Sequence, residues 1–398
     1  MNVHAARSLI IAVLFTGYLP AQGIAVQPRY VDISLSGLFS SGWSSAAAGE
    51  LLALQGGAHD PNKRGFTVQN VELSLMGAVD PFLRGEAHLI FQIDAQGESI
   101  FELEEAFLTT QTLPFGLQVR AGTYFTEFGR LNPQHPHSWS YVDQPVINTR
   151  MFGGDGLRGP GVRVAWLSPL PWYAELFLGL QNANGETAVS FLNSPEEDRF
   201  LGRPLVDREL ESMADLLRSV RWLNSLSLGE ETTVNLGLSA LWGPNRTGEE
   251  GKTAIYGGDL YLKWQPLAND QGWPFVALQG ELMHRNYLAA AHSSELFIGI
   301  QETLTDMGGY LQVQWGLKRG WVAGVRYESA TGSGKDDGDP LRDQRTRVGG
   351  NLTYYPSEFS KVRLQLNLDR ARFFEQGKAW GLWLQYEFLL GRHAGHKF

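Results

Sequence analysis

The amino-acid sequence predicts an all-β chain that closes into a transmembrane, antiparallel up-and-down β-barrel of about 16 strands. Three observations carry the prediction. Apolar and polar residues alternate with a period of two from about residue 29 to residue 390. The alternating runs are about 9–12 residues long, which suits strands tilted near 45° across a hydrocarbon core, whereas soluble sandwiches use strands of about five or six. The gaps between runs are alternately long and short.

The runs justify the elements one by one. Residues 83–94 set Leu83, Gly85, Ala87, Leu89, Phe91 and Ile93 against Arg84, Glu86, His88, Gln92 and Asp94. In residues 232–242, Val234, Leu236, Leu238, Ala240 and Trp242 oppose Thr233, Asn235, Gly237 and Ser239. Val362, Leu364, Leu366 and Leu368 oppose Arg363, Gln365, Asn367 and Asp369. The last run sets Trp380, Leu382, Leu384, Tyr386, Phe388 and Leu390 against Gly381, Gln385 and Glu387.

The same reasoning places strands near 29–39, 66–79, 83–94, 101–110, 117–128, 160–168, 172–182 and 218–227. The series continues near 232–242, 255–266, 273–286, 308–317, 321–330, 345–355, 361–371 and 379–390. Trp166, Trp172, Trp242, Trp264, Trp273, Trp315, Trp321, Tyr354 and Trp380 gather at run ends, where an interfacial aromatic girdle would sit.

The connections complete the pattern. Asp80-Pro81-Phe82, Pro169-Leu170-Pro171, Gly229-Glu230-Glu231, Lys318-Arg319-Gly320 and Pro356-Ser357-Glu358 are short, whereas 40–65, 129–159, 183–217, 287–307 and 331–344 are long. Short periplasmic turns and long extracellular loops are the outer-membrane arrangement, and an even strand count leaves both termini on the short-turn side. No water satisfies the backbone inside a bilayer, so a sheet that spans it must close. About sixteen strands leave an aqueous channel, and the charged inner face is expected to be solvated without buried partners.

Residues 1–25 carry Arg7, an apolar stretch from Leu9 to Leu19, Pro20, and the small residues Gly23 and Ala25. That is the pattern of a secretory signal peptide cleaved after Ala25, and the stretch is shorter than the roughly 20 apolar residues of a spanning helix. Residues 26–398 are then one barrel domain, exported to the outer membrane of a Gram-negative cell. The formal charge of -9 argues against a nucleic-acid partner. The absence of cysteine excludes disulfides and thiolate metal sites and fits export.

Residues 103–130, LEEAFLTTQTLPFGLQVRAGTYFTEFGR, run from a strand through a short turn to Arg120-Ala121-Gly122 and out through Glu127-Phe128-Gly129. This unit resembles the phosphate-selective porin family, as do the strand-turn-strand runs through 345–369. The resemblance implies a sixteen-stranded diffusion channel, often a homotrimer. Outer-membrane lipid and lipopolysaccharide would surround it, and the barrel assembly machinery would insert it. Pore lysines select phosphate in that family, whereas this chain has eight lysines, most of them in loops or turns. The usual final phenylalanine is Phe398, but GRHAGHKF separates it from the last amphipathic run, so the assembly signal falls within Trp383–Leu390.

By the same resemblance, the connection 129–159 is the loop that narrows the lumen. It carries Arg130, His135, His137, Asp143, Arg150, Asp155 and Arg158, three arginines against two aspartates, and an anion preference follows. An external lid is the competing reading. Pore-lining charges are expected at Arg84, Glu86, Arg120, Arg163, Glu281, Arg285, Arg326 and Arg363, with Glu72 among the opposing carboxylates.

His135-Pro136-His137 could share a metal, as could His393 with His396, but no third ligand is evident in the sequence, so no metal site and no cofactor are expected. The tip Lys335-Asp336-Asp337-Gly338-Asp339 lacks the spacing of a calcium loop. Leu210, Met213, Leu216 and Leu217 fall at helical spacing and predict a short loop helix. No nucleophile elbow, zinc-protease helix or phosphate loop is present, so no catalytic residues are expected. The sequence therefore points to a passive channel for small hydrophilic solutes. A barrel hydrolase acting on envelope lipid or peptide and a metal-related uptake barrel stand as the alternatives.

Overall fold

The computed structural model describes residues 31–54, 56–94, 97–293, 298–334 and 338–391. The leader, His393 with His396, Phe398, and Lys335–Asp337 of the acidic tip lie outside the described residues.

Among the described residues, sixteen antiparallel strands form one closed barrel. They are β1 Val31–Ser44, β2 Gly65–Ala78, β3 Leu83–Ile93, β4 Ser99–Thr110, β5 Leu117–Phe125, β6 Arg158–Leu167, β7 Tyr173–Gln181 and β8 Leu217–Leu228. The second half comprises β9 Thr232–Pro244, β10 Lys252–Trp264, β11 Phe275–Ala289, β12 Glu302–Lys318, β13 Trp321–Ser333, β14 Arg345–Ser357, β15 Ser360–Ala371 and β16 Lys378–Gly391. Each strand pairs with its sequence neighbours, and β1 closes on β16 with Leu35 opposite Leu390 and Phe39 opposite Tyr386. Closure leaves no edge, as a bilayer requires.

The alternation sorts the faces as expected. Along β15 and β16, Leu364, Leu366, Leu382, Leu384 and Leu390 face outward and exposed, while Arg363, Gln365, Asp369, Gln385 and Glu387 are buried inside. Leu384 is 47% exposed and its neighbour Gln385 is 3% exposed, the inverse of a water-soluble protein. Among the described residues no helix is long and apolar enough to cross a membrane.

Long connections, including 45–64, 126–157 and 182–216, leave from one rim. Turns such as 229–231 and 319–320, together with Val31 and Gly391, lie at the other.

The structure corrects four expectations. Trp273 is buried with Phe275 and Val322 and is no girdle residue. The proposed helix in 208–221 is only a 3-10 turn, Met213–Asp215, capped by Ser212, because Leu217 already belongs to β8 and packs inward. Strand β12 starts at Glu302 and not near 308. There the phase inverts: Leu304 points inward against Leu201 and Tyr287 while Thr303 faces out.

The largest correction concerns the lumen. The upper inward positions Leu241, Ile255, Met283 and Tyr310 bury themselves against the loop residues Phe128, Ile147, Met151, Phe152 and Phe191. Loops fill this part of the barrel with an apolar core. Several inner charges near it are buried and paired, as Arg285 is with Asp306 and Arg221 with Asp259, and are not solvated.

Candidate functional site

The third connection of the long-loop rim, residues 126–157, folds into the barrel. It contains a 3-10 turn, Pro136–Ser138, and one short α-helix, α1, Val146–Phe152. Entry depends on Gly129, whose φ of +60° favours glycine and where a Cβ would collide with the Glu281 carboxylate. The backbone N–H of Gly129 donates to Ser239 Oγ (3.1 Å) and that of Leu131 to Glu281 Oε1 (2.8 Å). Between them, the Arg130 guanidinium lies 3.8 Å above the Tyr261 ring.

The loop then meets the wall of β2–β4. His135 places Nδ1 2.9 Å from Glu104 Oε2 and 3.3 Å from Glu72 Oε2, and Nε2 2.9 Å from Glu105 Oε2. His137 Nδ1 lies 3.1 Å from Glu72 Oε2. Burial opposes a charge on His135, but Glu72 and Glu104 outweigh it and hold the imidazole well above its ordinary pKa of 6.5.

Glu104 and Glu105 are adjacent yet both face inward. His88 pairs with Glu105 and Leu89 with Leu103, so Glu104 is the extra residue of a β-bulge. A bulge re-aims a side chain in this way. Sequence reasoning missed these glutamates, although two successive carboxylates interrupting a period-two run were a visible signal.

Further on, the wall grips the loop through its backbone. Lys361 donates to the His137 carbonyl (2.6 Å), Asn351 to that of Ser140 (2.8 Å), and Arg363 to that of Trp139 (2.9 Å). Asp143 is the densest fastening. It meets Arg326 at 2.5 Å and Arg347 at 3.0 Å, and accepts hydrogen bonds from Gln365 (2.8 Å) and Asn367 (2.7 Å). Burial works against the charge, but Arg326 and Arg347 prevail and hold the Asp143 carboxyl below its usual range. Nearby, burial pushes the Asp60 carboxyl, which accepts from the N–H of Gln144, up to about 7.

The expected constriction residues therefore divide. Arg130, His137 and Asp143 line a cavity of about 430 Å³, together with Tyr261, Arg326, Lys361 and Arg363. Arg150 lies outside that cavity, donating to the carbonyls of Leu341 (2.6 Å) and Asp343 (3.1 Å) in another loop. Asp155 sits 3.8 Å from His59, and Arg158 pairs with Glu102. The loop thus carries its arginines on different levels and does not gather them into one eyelet.

The expected wall charges do lie on the inner face. Arg84 pairs with Glu86 (3.2 Å), Arg285 with Asp306 (2.7 Å) and Arg163 with Glu127. Glu281 accepts from Tyr310 (2.7 Å), and Arg363 donates to Gln385 (2.8 Å). Arg120 stands 4.1 Å over the Phe107 ring.

A closed sixteen-strand barrel with a lipid-facing apolar belt and an inward-folded third loop defines the porin class of outer-membrane architecture. The solved structures agree on the fold. An anion-selective porin from Comamonas acidovorans matches with a TM-score of 0.55 at 11% identity, covering 91% of this chain and 100% of that one. The outer-membrane channel DcaP of Acinetobacter baumannii matches with a TM-score of 0.56 at 9% identity, over 91% and 97%. OmpT of Vibrio cholerae in its trimer form matches with a TM-score of 0.53 at 7% identity, over 91% and 99%. No protein-family model matches the sequence. The chain belongs to the same family as an uncharacterized protein of Aquifex aeolicus (strain VF5), to which it is 33% identical over 359 residues, 84% of this chain and 71% of the relative.

Proposed function

We propose that this protein is an outer-membrane diffusion channel for small hydrophilic solutes with a preference for anions. In this reading residues 1–25 are a cleaved leader, residues 26–398 are one barrel domain, and the long loops face outward. One observation carries the selectivity. Arg130 lines the cavity beneath the loop, and among the described residues no carboxylate lies in ion-pair reach of it. Its charge is held in place by Tyr261 and stays available to a passing solute. Arg120, likewise without a carboxylate in ion-pair reach, adds a second such charge on the wall. The likeness of residues 103–130 to phosphate-selective porins favours oxyanions, which arginines would meet here in place of lysines. Trimeric assembly is proposed by analogy with OmpT of Vibrio cholerae, one structure of which is a trimer form.

Planar-bilayer recording tests both parts. Conductance steps are expected, and their absence at every salt concentration overturns the channel reading. Under a salt gradient, Arg130→Ala with Arg120→Ala shifts the reversal potential toward cation preference. An unchanged potential overturns the anion assignment.

A further inference from the structure

We propose that Glu72, His88 and His135 bind a divalent transition-metal ion of the zinc class, with Glu104 as a fourth ligand, at the junction of wall and loop. The donors come from β2, β3, β4 and the loop, so the site exists only when the loop is folded inward. One donor atom from each of Glu72, His88 and His135 lies within 4.8 Å of the others. Glu72 Oε1 is 3.0 Å from His88 Nδ1, and Glu72 Oε2 is 3.3 Å from His135 Nδ1. Tetrahedral bonds of roughly 2.0–2.1 Å space neighbouring donors by about 3.4 Å, so small side-chain movements seat an ion.

Three further observations point to a cation. Glu104 is buried and His135 is partly buried, and Glu104 Oε2 and His135 Nδ1 face each other without an aligned hydrogen bond. Next, the supporting contacts are those that orient metal ligands. Glu105 Oε2 meets the far nitrogen of the His135 ring at 2.9 Å, and the same carboxylate is fixed through Oε1, which accepts from the N–H of Phe125 (2.9 Å). Ser74 Oγ donates to Glu72 Oε1 (2.8 Å).

Charge supplies the last argument. Elsewhere on the inner wall several carboxylates meet arginine, as Asp259 meets Arg221 (2.6 Å) and Asp369 meets Arg347 (3.0 Å). Among the described residues, Glu72, Glu104 and Glu105 form no ion pair with lysine or arginine, only with histidines. Three buried carboxylates need positive charge, and an ion taking imidazole and carboxylate donors together provides it. Imidazole ligands favour zinc, nickel, copper or cobalt over the hard cations calcium and magnesium.

The test uses the full-length folded protein, stripped with a chelator and titrated with Zn²⁺ alone in a calorimeter, with bound metal counted by elemental analysis. One ion per chain is expected. Retention of that ion in the His393→Ala/His396→Ala variant is expected too, and its loss there places the metal on the tail and overturns the proposal. His135→Ala and His88→Gln should each weaken binding roughly 10–100-fold or more. Wild-type protein that binds no Zn²⁺, or variants that bind as wild type does, overturn the site. If His135→Ala fails to fold by heat-modified gel mobility, the wild-type and His88→Gln titrations decide alone.

Discussion

The loop across the lumen is fastened on two arcs of wall by different chemistry. On β13–β15 the fastening is Asp143, one carboxylate between Arg326 and Arg347. On β2–β4 the polarity is reversed: the loop brings the cation, His135, and the wall supplies Glu72, Glu104 and Glu105. Guanidinium groups stay charged at any working pH and match carboxylates through fixed forks. Imidazoles can lose a proton or exchange it for a metal. The first fastening is therefore permanent in character and the second is conditional.

Removing the arginine-side carboxylate should do the most damage. Asp143→Ala leaves two buried guanidinium groups short of a partner, at a cost of about 3–5 kcal/mol. Urea titration followed by tryptophan fluorescence checks the stability, and faster proteolysis within 126–157 reports the freed loop. His135→Ala should cost less, about 1.5–3 kcal/mol, since it removes hydrogen bonds to charged groups while His88 and His137 still meet Glu72. If the two variants lose equal stability, the proposed contrast between fastenings is wrong.

Acid should sharpen the comparison. The Asp143 pKa is lowered in the folded state, so its contribution is complete above the ordinary value of 3.8 and is lost as pH falls through the folded value. Below 3.8 the stability gap between wild type and Asp143→Asn should narrow by about 1.4 kcal/mol per pH unit. A gap that stays constant from pH 5 to pH 2.5 contradicts this. The smallest effect belongs to Arg84→Ala. The Arg84 side chain is 43% exposed beside Glu86, and a pair in that setting is worth less than about 1 kcal/mol.

The strands were legible because lipid and lumen demand opposite side chains, so period two survives wherever each face keeps its character. The leucines of β15 and β16 show this directly. Legibility failed where the inside turned apolar. Leu304 and Ile255 face loop residues and not water, so apolar residues stand on both faces and the alternation fades. Trp383 is a similar case, a tryptophan in the inward phase that packs beneath Leu54 and Val142.

At the site, Arg130, His135 and Asp143 were identifiable as loop charges, but their partners were not. Asp143 finds Asn367 across more than two hundred residues, and no local pattern encodes that distance. The glutamate bulge was readable as a broken rhythm, yet only pairing with β3 shows which residue is extra.

The hold of β14 and β15 on residues 137–140 runs through carbonyl oxygens, which every amino acid carries alike. Side chains at Ser138 and Ser140 can therefore drift without loosening the mooring. Relatives could retune which solutes pass by changing a few aperture positions while the barrel keeps its grip. A library randomised at those two positions would sample pore chemistries on one unchanged frame.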